Sequence, residues 1–214
     1  MLKLWFHPQS PYARRVICFL DWTGIHSERI PVALERQEQR SPEYLALNPY
    51  GRVPFIVDDA DLGPAGKPFA LSESLAILRY LVEKHGFDDW YPKGLQMRAK
   101  SDQWLEYASQ QASRPFLDLA WLRTFGPRLG MAPDEQSSKV LIEVAKKKLN
   151  RELPVLDARL SEYPFLAGTR PTLSDVALYP FASLHSEAGV DLASEAPAVV
   201  AWLDRIDQMP TGHG

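Results

Sequence analysis

Leu2, Leu4 and Phe6 alternate with Lys3 and Trp5, a period of two that predicts a short strand over residues 2–6. Ser10-Pro11 then reads as a helix start, because a serine can cap the first free N–H groups and proline suits the first helical position. Ala13, Val16, Ile17 and Leu20 recur at helical spacing, and Gly24 stands where that helix should stop. Glu28 to Leu34 alternates again and predicts a second strand. Strand, helix and strand in so short a stretch suggest a βαβ unit with parallel strands. Ser41-Pro42 repeats the start signal for a short helix ended at Asn48-Pro49. Val53 to Asp58 predicts a strand with proline near its start. Asp61 to Lys67, with Gly63, Pro64 and Gly66, reads as a turn into a short return strand at Phe69-Ala70-Leu71. A helix from Ser72 to Lys84, apolar at Leu75, Ile77, Leu78 and Leu81, completes the order β-α-β-α-β-β-α.

The pattern changes after His85-Gly86, and no strand signal follows. Residues 95–123 carry Met97, Trp104, Leu105, Ala108, Ala112 and Phe116 at helical spacing, and residues 136–162 do the same with Val140, Val144, Leu149, Leu153, Leu156 and Leu160. Pro154 is expected to bend or break that second run. Thr172-Leu173-Ser174-Asp175 has the form of a capping box, and a last helix is expected from Pro197 to Ile206. The expected organisation is an α/β domain over residues 1–84, a linker over 85–93 and an all-helical domain over 94–214.

Composition narrows the function classes. The 45% apolar and 24% charged residues are those of an ordinary globular chain, so disorder and coiled coil are poor readings. A net charge of −3 and a pI near 6.0 offer no electrostatic footprint for nucleic acid. The single cysteine, Cys18, excludes an intrachain disulfide, a CxxC redox pair and a cysteine-rich zinc site. The first residues lack a signal peptide's sustained apolar stretch, and no apolar run approaches the ~18 residues of a membrane span, so a cytoplasmic protein is expected. HExxH, GxGxxG and GxxxxGK[ST] are all missing, which argues against a zinc peptidase, a dinucleotide enzyme and a P-loop enzyme; no metal is expected.

Ser10 is the first chemical candidate, since a helix N-terminus favours an anion and a hydroxyl there can donate to a thiolate or oxyanion. The alternative is a plain cap; no GxSxG surrounds it, so a hydrolase-type nucleophile is not expected. In Asn48-Pro49-Tyr50-Gly51-Arg52-Val53-Pro54, the ordinary reading of the last bond is trans, because only about 5–6% of X–Pro bonds are cis. A cis bond would turn the backbone of Val53 outward to pair with an extended peptide ligand. Ser72-Glu73-Ser74 heads a helix; beyond capping, Ser74 and free N–H groups can bind a carboxylate while Glu73 orients an ammonium. Gln39 and Arg40 end a charge run that otherwise reads as a solvated face. Cys18 reads as a packing residue, and His7 as a loop residue near Ser10.

The segments Phe6 to Val16, Asn48 to Pro54, Ser72 to Ile77, and Phe165-Leu166-Ala167-Gly168 through Asp175, in that order over the chain, resemble the glutathione transferase superfamily, in particular its serine-type phi and theta-like members. The resemblance implies a thioredoxin-like domain plus a helical domain and a homodimer, with glutathione as co-substrate. It implies that Ser10 activates the glutathione thiol, that Pro54 is a cis-proline with Val53 pairing to the cysteinyl backbone, and that Glu73 and Ser74 hold the γ-glutamyl end. Gln39, Arg40 and Arg52 would lie near the glycyl carboxylate, although Gln39 stands where a basic residue is often found. Trp5 stands near where other classes keep a catalytic tyrosine. His7, Tyr12, Tyr107, Arg114 and Trp121 would border an electrophile pocket between the domains. The implied activity is thiolate attack on a small, hydrophobic electrophile or a peroxide, with detoxification as its broad role. The rival readings are a glutathione-binding interaction module with little turnover, and a thiol-disulfide reductase, against which Ser10 argues because such relatives carry cysteine there.

Overall fold

The computed structural model describes residues 1–63 and 66–212. Positions 64 and 65 of the expected turn, and positions 213 and 214 of the expected helical domain, lie outside the described residues. The chain divides into two compact units, Met1–Phe87 with the carboxy-terminal residues from Pro210, and Asp88–Met209.

The first unit is thioredoxin-like. Strand β1 (Leu2–Phe6) pairs in parallel with β2 (Ser27–Pro31) and antiparallel with β3 (Phe55–Leu62), which pairs antiparallel with β4 (Pro68–Ser72), so the sheet order is β2-β1-β3-β4. Helix α1 (Pro11–Thr23) has the boundaries that its sequence signals predict: Ser10 Oγ accepts the Ala13 N–H at 3.3 Å, and Gly24 ends the helix in the left-handed region at φ 70°. Helix α2 (Pro42–Leu47) is capped by Ser41, whose Oγ accepts the Tyr44 N–H. Helix α3 spans Ser74–His85, two residues later than expected, because Ser72 closes the sheet opposite Phe55 and Glu73 makes the turn. Leu4, Ile56, Phe19, Leu20, Ile77, Leu78 and Leu81 are fully buried and pack α1 and α3 against the sheet.

The second unit is all helical: α4 (Leu95–Tyr107), α5 (Ser113–Ala120), α6 (Gly126–Arg128), α7 (Glu135–Glu162), α8 (Leu173–Ala182), α9 (Leu192–Glu195) and α10 (Pro197–Asp207). The run expected over 95–123 is helical throughout but not uniform, since wider π turns at Ala108–Ala112 and Trp121–Phe125 separate α4, α5 and α6. Pro154 does not break α7. It is exposed, as is Asn150, so the carbonyl that loses its helical donor is left to water rather than to the core. Asp175 anchors this unit. Its fully buried carboxylate accepts the backbone N–H groups of Leu166 and Thr172 at 2.9 Å each, and the Trp202 indole N–H at 3.0 Å. Among the described residues no helix is long and apolar enough to cross a membrane.

Candidate functional site

The strand register brings four chain segments to one end of the sheet. Trp5 lies opposite Phe55, Phe55 opposite Ser72, and Phe6 beside Pro31. Because β1 and β2 run parallel to each other and to β4, but against β3, this end is where β1 leads to His7–Ser10 and β2 leads to the Gln39-Arg40 turn. The same end receives Val53-Pro54 into β3 and releases β4 into Glu73-Ser74. Residues 10, 39, 40, 52, 53, 54, 73 and 74, scattered along the sequence, are thereby gathered by topology at a sheet end that carries the N-termini of α1 and α3.

Ser10 is half-buried. Its backbone N–H donates to His7 O at 3.0 Å, which closes the turn from β1 into α1. Its Oγ accepts from Ala13, which leaves the hydroxyl hydrogen to donate elsewhere. His7 Nδ1 accepts the Gln9 N–H at 3.2 Å, and His7 Nε2 lies 3.6 Å from Glu35, so this side chain supports the same turn.

The Val53–Pro54 bond is cis, as the resemblance implies and against the trans form that the bare residues favour. Val53 sits just outside the β3–β4 ladder, which begins at Phe55. The neighbouring Gly51 has φ 58°, and a side chain there would meet Arg40 Nη1 at 2.8 Å and Gln39 O at 2.9 Å, so only glycine lets the Gln39-Arg40 turn close against this loop. The Gln39 Oε1 is buried without a protein partner, while Arg40 and Arg52 are exposed.

Glu73 caps α3 from φ 70°, a left-handed conformation that costs a non-glycine residue about 1–3 kcal/mol. Glu73 is exposed and Ser74 is buried. Two residues that the sequence reading passed over complete this end. Arg15, only 2% exposed, donates from Nη1 to Ser74 Oγ at 3.3 Å, and burial lowers its pKa to about 10 against a smaller opposing effect of Tyr12. Asn48, fully buried, donates from Nδ2 to Arg52 O at 2.8 Å. Both lie inside the segments that carry the family resemblance, Phe6 to Val16 and Asn48 to Pro54, but no local signal gives either of them a site role.

The expected electrophile contacts fall in both units. His7 and Tyr12 flank Ser10 along the chain, with the Tyr12 ring 5.3 Å from the Arg15 guanidinium. In the helical unit, Tyr107 OH donates to Glu152 Oε2 at 2.8 Å, and its pKa is raised by burial and by that carboxylate. Arg114 pairs with Asp118 at 2.6 Å, and Trp121, at 36% exposure, opens the second π turn. Among the described residues no group of three or more His, Cys, Asp or Glu side chains is placed to hold a metal ion. Cys18 is half-buried in α1.

Comparison with known proteins bears on the family and the fold. The family model described as glutathione S-transferase, N-terminal domain, matches residues 9–84, and the glutathione S-transferase, C-terminal domain, matches residues 119–210. Glutathione S-transferase F10 of Arabidopsis thaliana is 32% identical over 205 residues, covering 94% of this chain and 90% of its own length. The disulfide-bond oxidoreductase YfcG of Escherichia coli is also 32% identical, over 98% of this chain and 92% of its own. Among solved structures, glutathione transferase F2 from Populus trichocarpa superposes with a TM-score of 0.83 at 28% identity, covering 97% of this chain and 94% of that one. Human glutathione transferase theta-2, solved in complex with glutathione and an unknown ligand, superposes with a TM-score of 0.81 at 30% identity, covering 96% and 81%.

Proposed function

This chain belongs to the glutathione S-transferase family, and we propose that it binds glutathione at the sheet end described above and transfers it, as the Ser10-stabilised thiolate, to a small electrophile. The observation that carries the reading is the Ser10 hydroxyl: its oxygen is engaged by Ala13 at the first turn of α1 and its hydrogen is left to donate. A free thiol has a pKa near ~8.5 and is mostly protonated at neutral pH. A hydroxyl donor and the partial positive charge of a helix N-terminus both favour thiolate over thiol. The thiolate attacks the electrophilic carbon, a new C–S bond forms, and the leaving group departs with the bonding pair.

In this reading Val53 pairs its backbone with the cysteinyl residue, in the manner of an added strand. Ser74 and the first N–H groups of α3 take the γ-glutamyl carboxylate, and Glu73 takes its ammonium. Gln39, Arg40 and Arg52 serve the glycyl end, where the cationic side chains neutralise a carboxylate and the orphan Gln39 Oε1 accepts an amide N–H. His7 and Tyr12 flank the turn that presents Ser10 and are the first side chains an electrophile would meet. The protein works as a homodimer in the cytoplasm, with a peroxide as an alternative acceptor of the same thiolate.

The experiment is a calorimetric titration with glutathione alongside conjugation to an activated aryl halide. Wild-type protein should bind and conjugate, and Ser10→Ala should bind but conjugate about ten- to a hundredfold more slowly. Binding without conjugation in the wild type would instead identify an interaction module. The relative named as a disulfide-bond oxidoreductase supports a second reading, in which the thiolate attacks a disulfide sulfur and expels a thiolate. Turnover of a small disulfide, with no conjugation, would select it.

A further inference from the structure

Asn48 is fully buried, and both ends of its amide are used. Nδ2 donates to Arg52 O at 2.8 Å; Oδ1 accepts the Tyr50 N–H at 3.2 Å and the Ser72 hydroxyl at 2.9 Å. Arg52 O also accepts from Tyr44 OH at 2.7 Å. The carbonyl immediately before Val53 is thus held by two donors, one from the end of α2 and one from its interior. The same amide fastens that carbonyl to the last residue of β4, directly before Glu73 and Ser74. Asn48 also closes its own loop through its backbone, with its N–H on Tyr44 O at 2.8 Å and its carbonyl accepting from Gly51 at 2.9 Å.

We propose that Asn48 is a positioning residue for glutathione: it fixes the Arg52-Val53 peptide unit, the recognition edge for the cysteinyl backbone, relative to the Glu73-Ser74 helix start that takes the γ-glutamyl end. The inference rests on the glutathione reading given above. Strand-like pairing with a short peptide needs a backbone donor and acceptor set at one spacing before the ligand arrives, because ordering them on binding would be subtracted from the affinity. A loop that crosses between a helix and a strand has no ladder to set that spacing. Here a single side chain supplies it, with Tyr44 as the second donor. Asn48 touches no reacting atom in this account, so its loss should act on ground-state binding and leave thiol activation by Ser10 in place.

The test uses the full-length chain with Asn48→Ala and Tyr44→Phe, and follows three quantities. These are the Kd for S-methylglutathione by calorimetry, the KM and kcat for glutathione against a saturating aryl halide, and the pH midpoint of kcat. Asn48→Ala should weaken Kd and KM about tenfold, and Tyr44→Phe about threefold, with kcat within about twofold of wild type and an unmoved midpoint. A merely structural role would lower melting temperature and recovered active fraction without that split. Unchanged affinity in folded Asn48→Ala, or a fall in kcat at constant KM, would overturn the proposal. If Asn48→Ala does not fold, unchanged affinity in Tyr44→Phe overturns it equally. Wild-type protein that binds no glutathione would overturn the parent reading as well, whereas binding wild type with insensitive variants overturns this inference alone.

Discussion

Arg15 reaches across the first unit from α1 to the opening residue of α3, where its Nη1 donates to Ser74 Oγ at 3.3 Å. The two residues are 59 positions apart in the chain, yet this contact joins the helix that presents Ser10 to the helix that begins at Ser74. Burial holds the guanidinium pKa down at about 10, still far above neutral pH, so a full charge sits inside the domain. Arg15→Met should keep much of the stem's packing and lose the donor. We expect a loss of about 2–3 kcal/mol in stability, because the groups that Arg15 satisfies would stay buried. Urea unfolding of the two proteins checks the figure, and an unchanged midpoint would remove Arg15 from the account.

In the proposed function, Glu73 gives up backbone stability for a ligand contact. Its φ of 70° suits glycine, and its carboxylate is exposed rather than engaged in the core. Glu73→Gly should therefore raise stability by about 1 kcal/mol while weakening glutathione binding. Glu73→Gln should weaken binding with little change in stability. A thermal melt paired with a glutathione titration reads both, and a Glu73→Gly protein that binds normally would dismiss the ammonium contact.

Acid should loosen the contact between β3 and α3 through Asp58. Burial acts to raise this carboxyl's pKa, but Lys84 Nζ at 2.5 Å, the Ala60 N–H at 3.0 Å and Tyr80 OH at 3.0 Å outweigh it, and the net direction is down. A carboxyl whose folded pKa lies below its unfolded value of about 3.9 adds stability above that value, and the contribution is lost as pH falls through the folded one. Melting temperature should thus fall between about pH 5 and pH 2, and the slope should be shallower in Asp58→Asn. Equal slopes would show that other carboxylates dominate.

Asp175→Ala should damage the helical unit far more than the loss of one exposed cap. Removing the carboxylate strands the Leu166 and Thr172 N–H groups and the Trp202 indole, all buried, at about 1–3 kcal/mol each before relaxation. A net loss of about 3 kcal/mol is expected, with activity per folded molecule near normal. A melting temperature within a degree or two of wild type would contradict this role.

The local signals were the most legible part of the chain. Ser10-Pro11 with Gly24, and Ser41-Pro42 with Asn48, mark the ends of α1 and α2 because capping is decided within a few residues. Whatever depends on long-range partners was hidden. Nothing near Asn48 announces that Ser72 will meet it, and nothing near Arg15 points to Ser74. Pro154 leaves α7 unbroken, and its exposed position leaves the orphan carbonyl solvated. The π turns at Ala108–Ala112 and Trp121–Phe125 keep the apolar spacing of an ordinary helix closely enough to be invisible to periodicity. For the candidate site, the residue types were readable in the segments around Ser10, Asn48 to Pro54 and Ser72 to Ser74, but their gathering at one sheet end follows from the β2-β1-β3-β4 order.

The central claim is that Ser10 stabilises a thiolate, and the pH dependence of kcat tests it most directly because it reports ionisation in the enzyme–glutathione complex. With an activated aryl halide as acceptor, wild-type kcat should rise through a midpoint below the ~8.5 of a free thiol. In Ser10→Ala the plateau should fall by about one to two decades and the midpoint should move up towards the free-thiol value. A Ser10→Ala protein with the wild-type midpoint and turnover would contradict the account and leave Ser10 as the cap of α1.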